Sequence, residues 1–65
     1  MPDYRLYLLN STTDAIEDVE VFHASDDVEA VHRNEHRKRG QPTELWRGEQ
    51  KIRYFPSTVE LGAHH

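Results

Sequence analysis

The sequence predicts an α+β fold, a four-stranded antiparallel sheet in the chain order β-β-α-β-β with one helix packed on one face. Three observations carry that expectation. Two pairs of short segments rich in β-branched and aromatic residues flank a central stretch, and a turn signal joins the members of each pair. The central stretch opens on a helix cap and closes on glycine and proline. At 65 residues the chain makes one domain. Two hairpins joined by a helix close most simply into one antiparallel sheet. The first strand is expected to pair centrally with a C-terminal strand.

YRLYLLN, residues 4–10, reads as the first strand, and Ser11-Thr12-Thr13-Asp14 is a cluster of turn formers. IEDVEVFHA, residues 16–24, is β-branched and aromatic with acids interspersed, and reads as the second strand. Ser25-Asp26-Asp27 supplies a helix cap and first-turn acids, which suit the unpaired amides and positive end of a helix. With Asp26 as the cap, Glu29 falls at the capping-box position. The helix is expected to run through DDVEAVHRNEHRKR to Gly40, with Arg37, Lys38 and Arg39 in its last turn and Pro42 just beyond. TELWR (43–47) and QKIRYF (50–55) read as two more strands around the tight turn Gly48-Glu49, and Pro56 ends the last. The domain is therefore expected over 1–56, with 57–65 a frayed tail whose His64 and His65 are set aside from site arguments.

On a helical wheel Ala24, Val28, Val31, His32, Glu35 and Arg39 share one stripe, apolar in its first half and polar in its second. The N-terminal turns are thus expected to dock on the sheet, and Glu35 can pair with Arg39. Strand alternation sends Tyr4, Leu6 and Leu8 to one face and Arg5, Tyr7 and Leu9 to the other. Leu45, Ile52 and Tyr54 are expected to join Leu6 and Leu8 beneath the helix, with Phe22 in the same core. By parity Ile16 and Ala24 go with Phe22, and Val19 and Val21 with His23. The helix-free face would then carry Tyr7, Leu9, Val19, Val21, Trp46 and Phe55, beside Lys51 and Arg53. One short helix cannot cover both faces, so an apolar, aromatic patch left open on a small protein points to a partner. Aromatics and arginine are also the residues enriched in interface cores.

Composition narrows the remaining choices. A chain this short buries only about 60% of the surface its unfolded form exposes, and natural scaffolds of this size lean on a disulfide, a metal or a partner subunit. The chain has no cysteine, which excludes disulfides and thiolate metal sites. The start MPDYRLYLLN has no basic segment followed by a long apolar run, and no apolar run can span a bilayer. A cytoplasmic protein without membrane contact is expected. The net charge of −4 is split: residues 1–31 hold eight acids and one base, a balance of −7, and residues 32–65 hold seven bases and four acids, a balance of +3. Such asymmetry lets acidic and basic ends meet between subunits.

Catalytic chemistry has no carrier. Ser11, Ser25 and Ser57 stand in turns or at a cap with no His/Asp arrangement beside them, and the three glycines are isolated, so there is no phosphate loop. A non-enzymatic protein without a cofactor is expected. His32 and His36 lie four apart on the helix, a spacing at which two imidazoles can share a metal ion, and His32-Arg-Asn-Glu35-His36 matches the H-x-x-E-H pattern of inverted zinc peptidases. Such enzymes need a third protein ligand and a cleft; His23, Glu29 or Glu35 are the available donors. Two exposed helix histidines are the ordinary reading of the pair.

YRLYLLN, the acidic helix start Ala24-Ser25-Asp26-Asp27 followed by Glu29-Ala30, and the hairpin Glu44-Leu45-Trp46-x-Gly48 leading to Ile52 resemble short uncharacterised proteins of alphaproteobacteria over most of residues 4–55. The resemblance implies the same β-β-α-β-β fold and brings no assigned activity with it. His32, Glu35 and His36 stand where small apolar residues would be usual in those proteins.

The function expected is an interaction module that self-associates as a homodimer through the helix-free face, using Tyr7, Val19, Val21, Trp46, Arg53 and Phe55. One alternative is a binder of single-stranded nucleic acid or another polyanion, using Arg5, Arg37, Lys38, Arg39, Arg53 and Trp46, since cations beside stackable rings are how sheet-based binders work. The other is a metal-binding protein using His32 and His36.

Overall fold

The computed structural model describes residues 2–58. Its elements are β1 (Asp3–Leu9), β2 (Ile16–His23), α1 (Asp27–Glu35), β3 (Thr43–Arg47) and β4 (Gln50–Phe55). The strands form one four-stranded antiparallel sheet in the order β2-β1-β3-β4, so β1 does pair with a C-terminal strand at the centre. The tail expected over 57–65 lies outside the described residues from 59 onward; Thr58 is held by Arg39, donating its amide and receiving that of Arg39 on its hydroxyl.

Each turn has a local cause. In the β1–β2 connection the Asn10 carboxamide oxygen accepts the amides of Thr12 and Thr13, and Asp14 closes the turn at φ 63. The β3–β4 hairpin is a two-residue turn with Gly48 at φ 59, a conformation that favours glycine. Asp26 caps α1 by accepting the amide of Glu29 at 2.8 Å. The Glu29 carboxylate reaches back to the amide and hydroxyl of Ser25, one residue before the position a capping box would use.

The core lies between α1 and one sheet face. It comprises Tyr4, Leu6, Ala24, Ala30, Leu45 and Phe55, with Leu8, Phe22, Val31 and Ile52 packed against it. Tyr4 is fully buried, stacks on Phe22 at 5.6 Å and donates its hydroxyl to Asp27 at 2.7 Å. Arg47 donates to the same carboxylate oxygen. Burial and the Asp27 carboxylate raise the Tyr4 pKa.

Three details of the sequence reading are overturned. The helix ends at Glu35 rather than running to Gly40. Asn34 is buried, its amide donates to the Ala30 carbonyl, and the Arg37 amide closes a tight turn on the Asn34 carbonyl. The Arg39 guanidinium then binds the carbonyls of Asn34, Glu35 and Arg37 and stacks on Phe55 at 4.9 Å, so it caps the helix and does not pair with the Glu35 carboxylate.

The buried helix face is also rotated from the predicted stripe. Ala30 and Asn34 face the sheet, whereas Val28 is 77% exposed and His32 is exposed. Alanine lets the helix approach closely, and Asn34 is tolerated because its polar atoms are satisfied by Ala30 and Arg37.

Third, two bulges reverse strand parity. The β3–β4 register passes from Leu45↔Arg53 to Trp46↔Lys51, leaving Ile52 as the extra residue. Beyond it Phe55 falls opposite Thr43 and enters the core, Arg53 falls opposite Leu45 on the helix side, and Tyr54 turns away, 46% exposed. A second bulge, where Leu8↔Asp18 gives way to Leu9↔Ile16, moves Ile16 to the helix-free side.

Two outcomes test this packing. Phe55→Ala should cost about 3–5 kcal/mol in urea unfolding, as for a buried aromatic, and Tyr54→Ala less than about 1 kcal/mol; equal losses would contradict the bulge. The Ser25 amide, then its hydroxyl, holds Glu29 below its ordinary pKa. A depressed carboxylate contributes stability above its unfolded pKa and loses it as pH falls through the folded one. Glu29→Gln should therefore lower stability at neutral pH and flatten its decline below the ordinary glutamate range, measured as melting temperature against pH.

Candidate functional site

The helix-free face is read directly from the register. One row across the sheet is Val19, Tyr7, Glu44 and Tyr54; the next is Val21, Arg5, Trp46 and Lys51. Directly opposed residues share a face. Tyr7 and Trp46, diagonal neighbours on β1 and β3, meet edge to face at 5.9 Å and 87° in the centre. Val19, Val21 and Ile16 on β2 are 42%, 60% and 58% exposed, and Tyr54 flanks the rings from β4. A trough of about 520 Å³ runs past Arg5, Tyr7, Ile16 and Trp46 to Glu49 in the hairpin turn.

The rings are held from within the face. The Trp46 indole Nε1 donates to Glu44 Oε1 at 3.0 Å, and Lys51 Nζ sits 3.2 Å from Glu44 Oε2. The indole bond, more than the lysine, lowers the Glu44 pKa against the opposing effect of burial. Asp3 and His23 pair at 2.6 Å at one end of the face.

Of the predicted surface residues, Tyr7, Val19, Val21 and Trp46 come together here. Phe55 and Arg53 do not, because the Ile52 bulge carries both to the helix side. Ile16, Glu44 and Tyr54 belong to the face and were missed. The sides of Ile16 and Tyr54 depend on which residue each bulge leaves unpaired, which alternation along one strand does not carry; Glu44 shares the parity of Trp46 and was legible from it.

The predicted polyanion residues are divided. Arg5 and Trp46 lie on the helix-free face. Arg37, Lys38 and Arg39 rim a separate cleft of about 220 Å³ on the helix side, floored by Leu6, Leu8 and Phe55. Arg37 contacts Glu20 at 3.7 Å, and Arg39 is spent on helix carbonyls. His32 stands exposed on α1 and His36 exposed at its C-cap, on the side of the sheet away from the Tyr7–Trp46 pair.

Part of the charge imbalance between the two halves of the sequence is met inside one chain. Arg47 pairs with Asp27, Arg37 with Glu20 and Arg33 with Glu29, and the neutral Gln41 carboxamide bridges the Leu9 carbonyl to Glu17. Among the described residues no helix is long and apolar enough to cross a membrane.

The Glu44–Trp46 contact gives a local readout. Fluorescence of Trp46, the sole tryptophan, should titrate in acid below the ordinary glutamate range, as the depressed Glu44 carboxylate takes up its proton. Glu44→Gln should abolish that transition; its survival would assign it to another acid. Comparisons with protein-family models, with curated proteins and with solved structures find no match to this chain.

Proposed function

We propose that the protein is a non-enzymatic interaction module that self-associates, two copies packing their helix-free sheet faces together about a two-fold axis. The observation that carries this is the band of Val19, Val21, Ile16, Tyr7, Trp46 and Tyr54, which crosses all four strands with no element of the described chain laid over it. A rigid aromatic pair at the centre with aliphatic flanks and a charged margin is the composition of an interface core and rim.

The charges on this face favour a second copy as the occupant. It carries cations, Arg5 and Lys51, together with the acids Glu44 and Glu49, so it is complementary to itself when rotated. The free edge of β2 carries Glu17, Asp18 and Glu20, and charged residues on an edge strand work against edge-to-edge pairing. Strands about 4.8 Å apart and segments of five or six residues at about 3.3 Å each outline a face of roughly 350 Å² in projection. A face of that size makes a small interface, so the self-association expected is weak and concentration-dependent.

Size-exclusion chromatography with light scattering, from about 5 to 500 μM, should show the mass rising toward that of two chains. Val21→Lys, which adds a cation beside Arg5 on an exposed position, should return the protein to a monomer with its melting temperature at low concentration unchanged. A wild-type monomer across the whole range would overturn the proposal.

A further inference from the structure

We propose that His32, Glu35 and His36 form a site for one divalent transition ion of the zinc class on the exposed side of α1. One ligand atom from each residue lies within 4.8 Å of the other two. Glu35 Oε1 stands 3.6 Å from His32 Nδ1 and 3.6 Å from His36 Nε2, so the carboxylate is already shared by both rings. Ligands about 2.0–2.1 Å from a tetrahedral zinc ion lie about 3.3 Å apart. Small rotations of these exposed side chains bring the three atoms to that spacing.

The carboxylate is available because of how the helix ends. Arg39, the natural cation for Glu35 at four residues' distance, is drawn to the carbonyls of Asn34, Glu35 and Arg37 and to the Phe55 ring. Arg33 pairs with Glu29, and Arg37 with Glu20. The only ion-pair contacts of the Glu35 carboxylate among the described residues are with the two imidazoles.

Two imidazoles and one carboxylate are the donors of zinc, nickel and copper sites, whereas magnesium and calcium prefer oxygen alone. The histidine side chains are 74% and 78% exposed, so binding requires no burial of charge and leaves a position for water. The ion would clamp the last turn of a nine-residue helix at the point where it unwinds.

The test uses the full chain carrying His64→Ala and His65→Ala, so that the chain end offers no imidazole, after removal of metal with EDTA. Zinc chloride should bind one to one and raise the melting temperature by ~20 °C at about 100 times the dissociation constant; magnesium chloride should not. Cobalt(II) should give visible absorption bands of a nitrogen- and oxygen-bound ion. His32→Ala and His36→Ala should each weaken binding at least about 10-fold, and Glu35→Gln also, with the metal-free melting temperatures unchanged. No zinc-dependent rise, or an equal rise in the His32→Ala/His36→Ala variant, would overturn the site. Because these residues lie across the sheet from the self-association face, the oligomeric state of the metal-free protein should not change with any of them.

Discussion

The fold hangs on Tyr4. Its ring stacks on Phe22 of β2, its hydroxyl binds Asp27 at the start of α1, and Asp27 in turn holds Arg47 of β3. One fully buried side chain on the central strand β1 therefore reaches three other elements. A phenol suits the position because the ring supplies apolar area while the hydroxyl needs, and finds, an acceptor. This contact sets where the helix starts over the sheet. With only nine residues, α1 then ends before the far part of that face is covered, and the cleft beside Leu6, Leu8 and Phe55 is the consequence.

Once the helix occupies one face, bulges decide what the other displays. At Ile52 a single unpaired residue exchanges Phe55 for Tyr54, placing the fully apolar ring in the core and the ring with a hydroxyl at the surface. At the other end the same device adds Ile16 to the open face. The result is a surface more continuous than alternation alone would give. It carries charges of both signs, Arg5 and Lys51 beside Glu44 and Glu49, while Arg47–Asp27 and Arg37–Glu20 pair on the helix side. Exposed ion pairs of this kind contribute little stability. Their effect here is on which charges remain for a partner.

The early helix end links the two proposals without making one depend on the other. Asn34 turns inward and Arg39 folds back over the last carbonyls, so the basic run 37–39 leaves the helix. That removes the cations from any common surface with Trp46, and it releases Glu35 to His32 and His36.

Much was legible from the residues alone. β-Branched and aromatic runs, the Asp26 cap and the Gly48-Glu49 turn located all five elements, and the open face with Tyr7, Val19, Val21 and Trp46 followed from counting one helix against two sheet surfaces. These features are local, set by propensity and turn chemistry within a few residues. The side taken by Ile16, Arg53, Tyr54 and Phe55, the turn of the helix toward Ala30 and Asn34, and the choice of Arg39 between a carboxylate and a set of carbonyls were decided only in the folded chain. Each depends on a neighbour distant in sequence: the β3 register for the aromatics, the sheet surface for α1, and the Phe55 ring for Arg39.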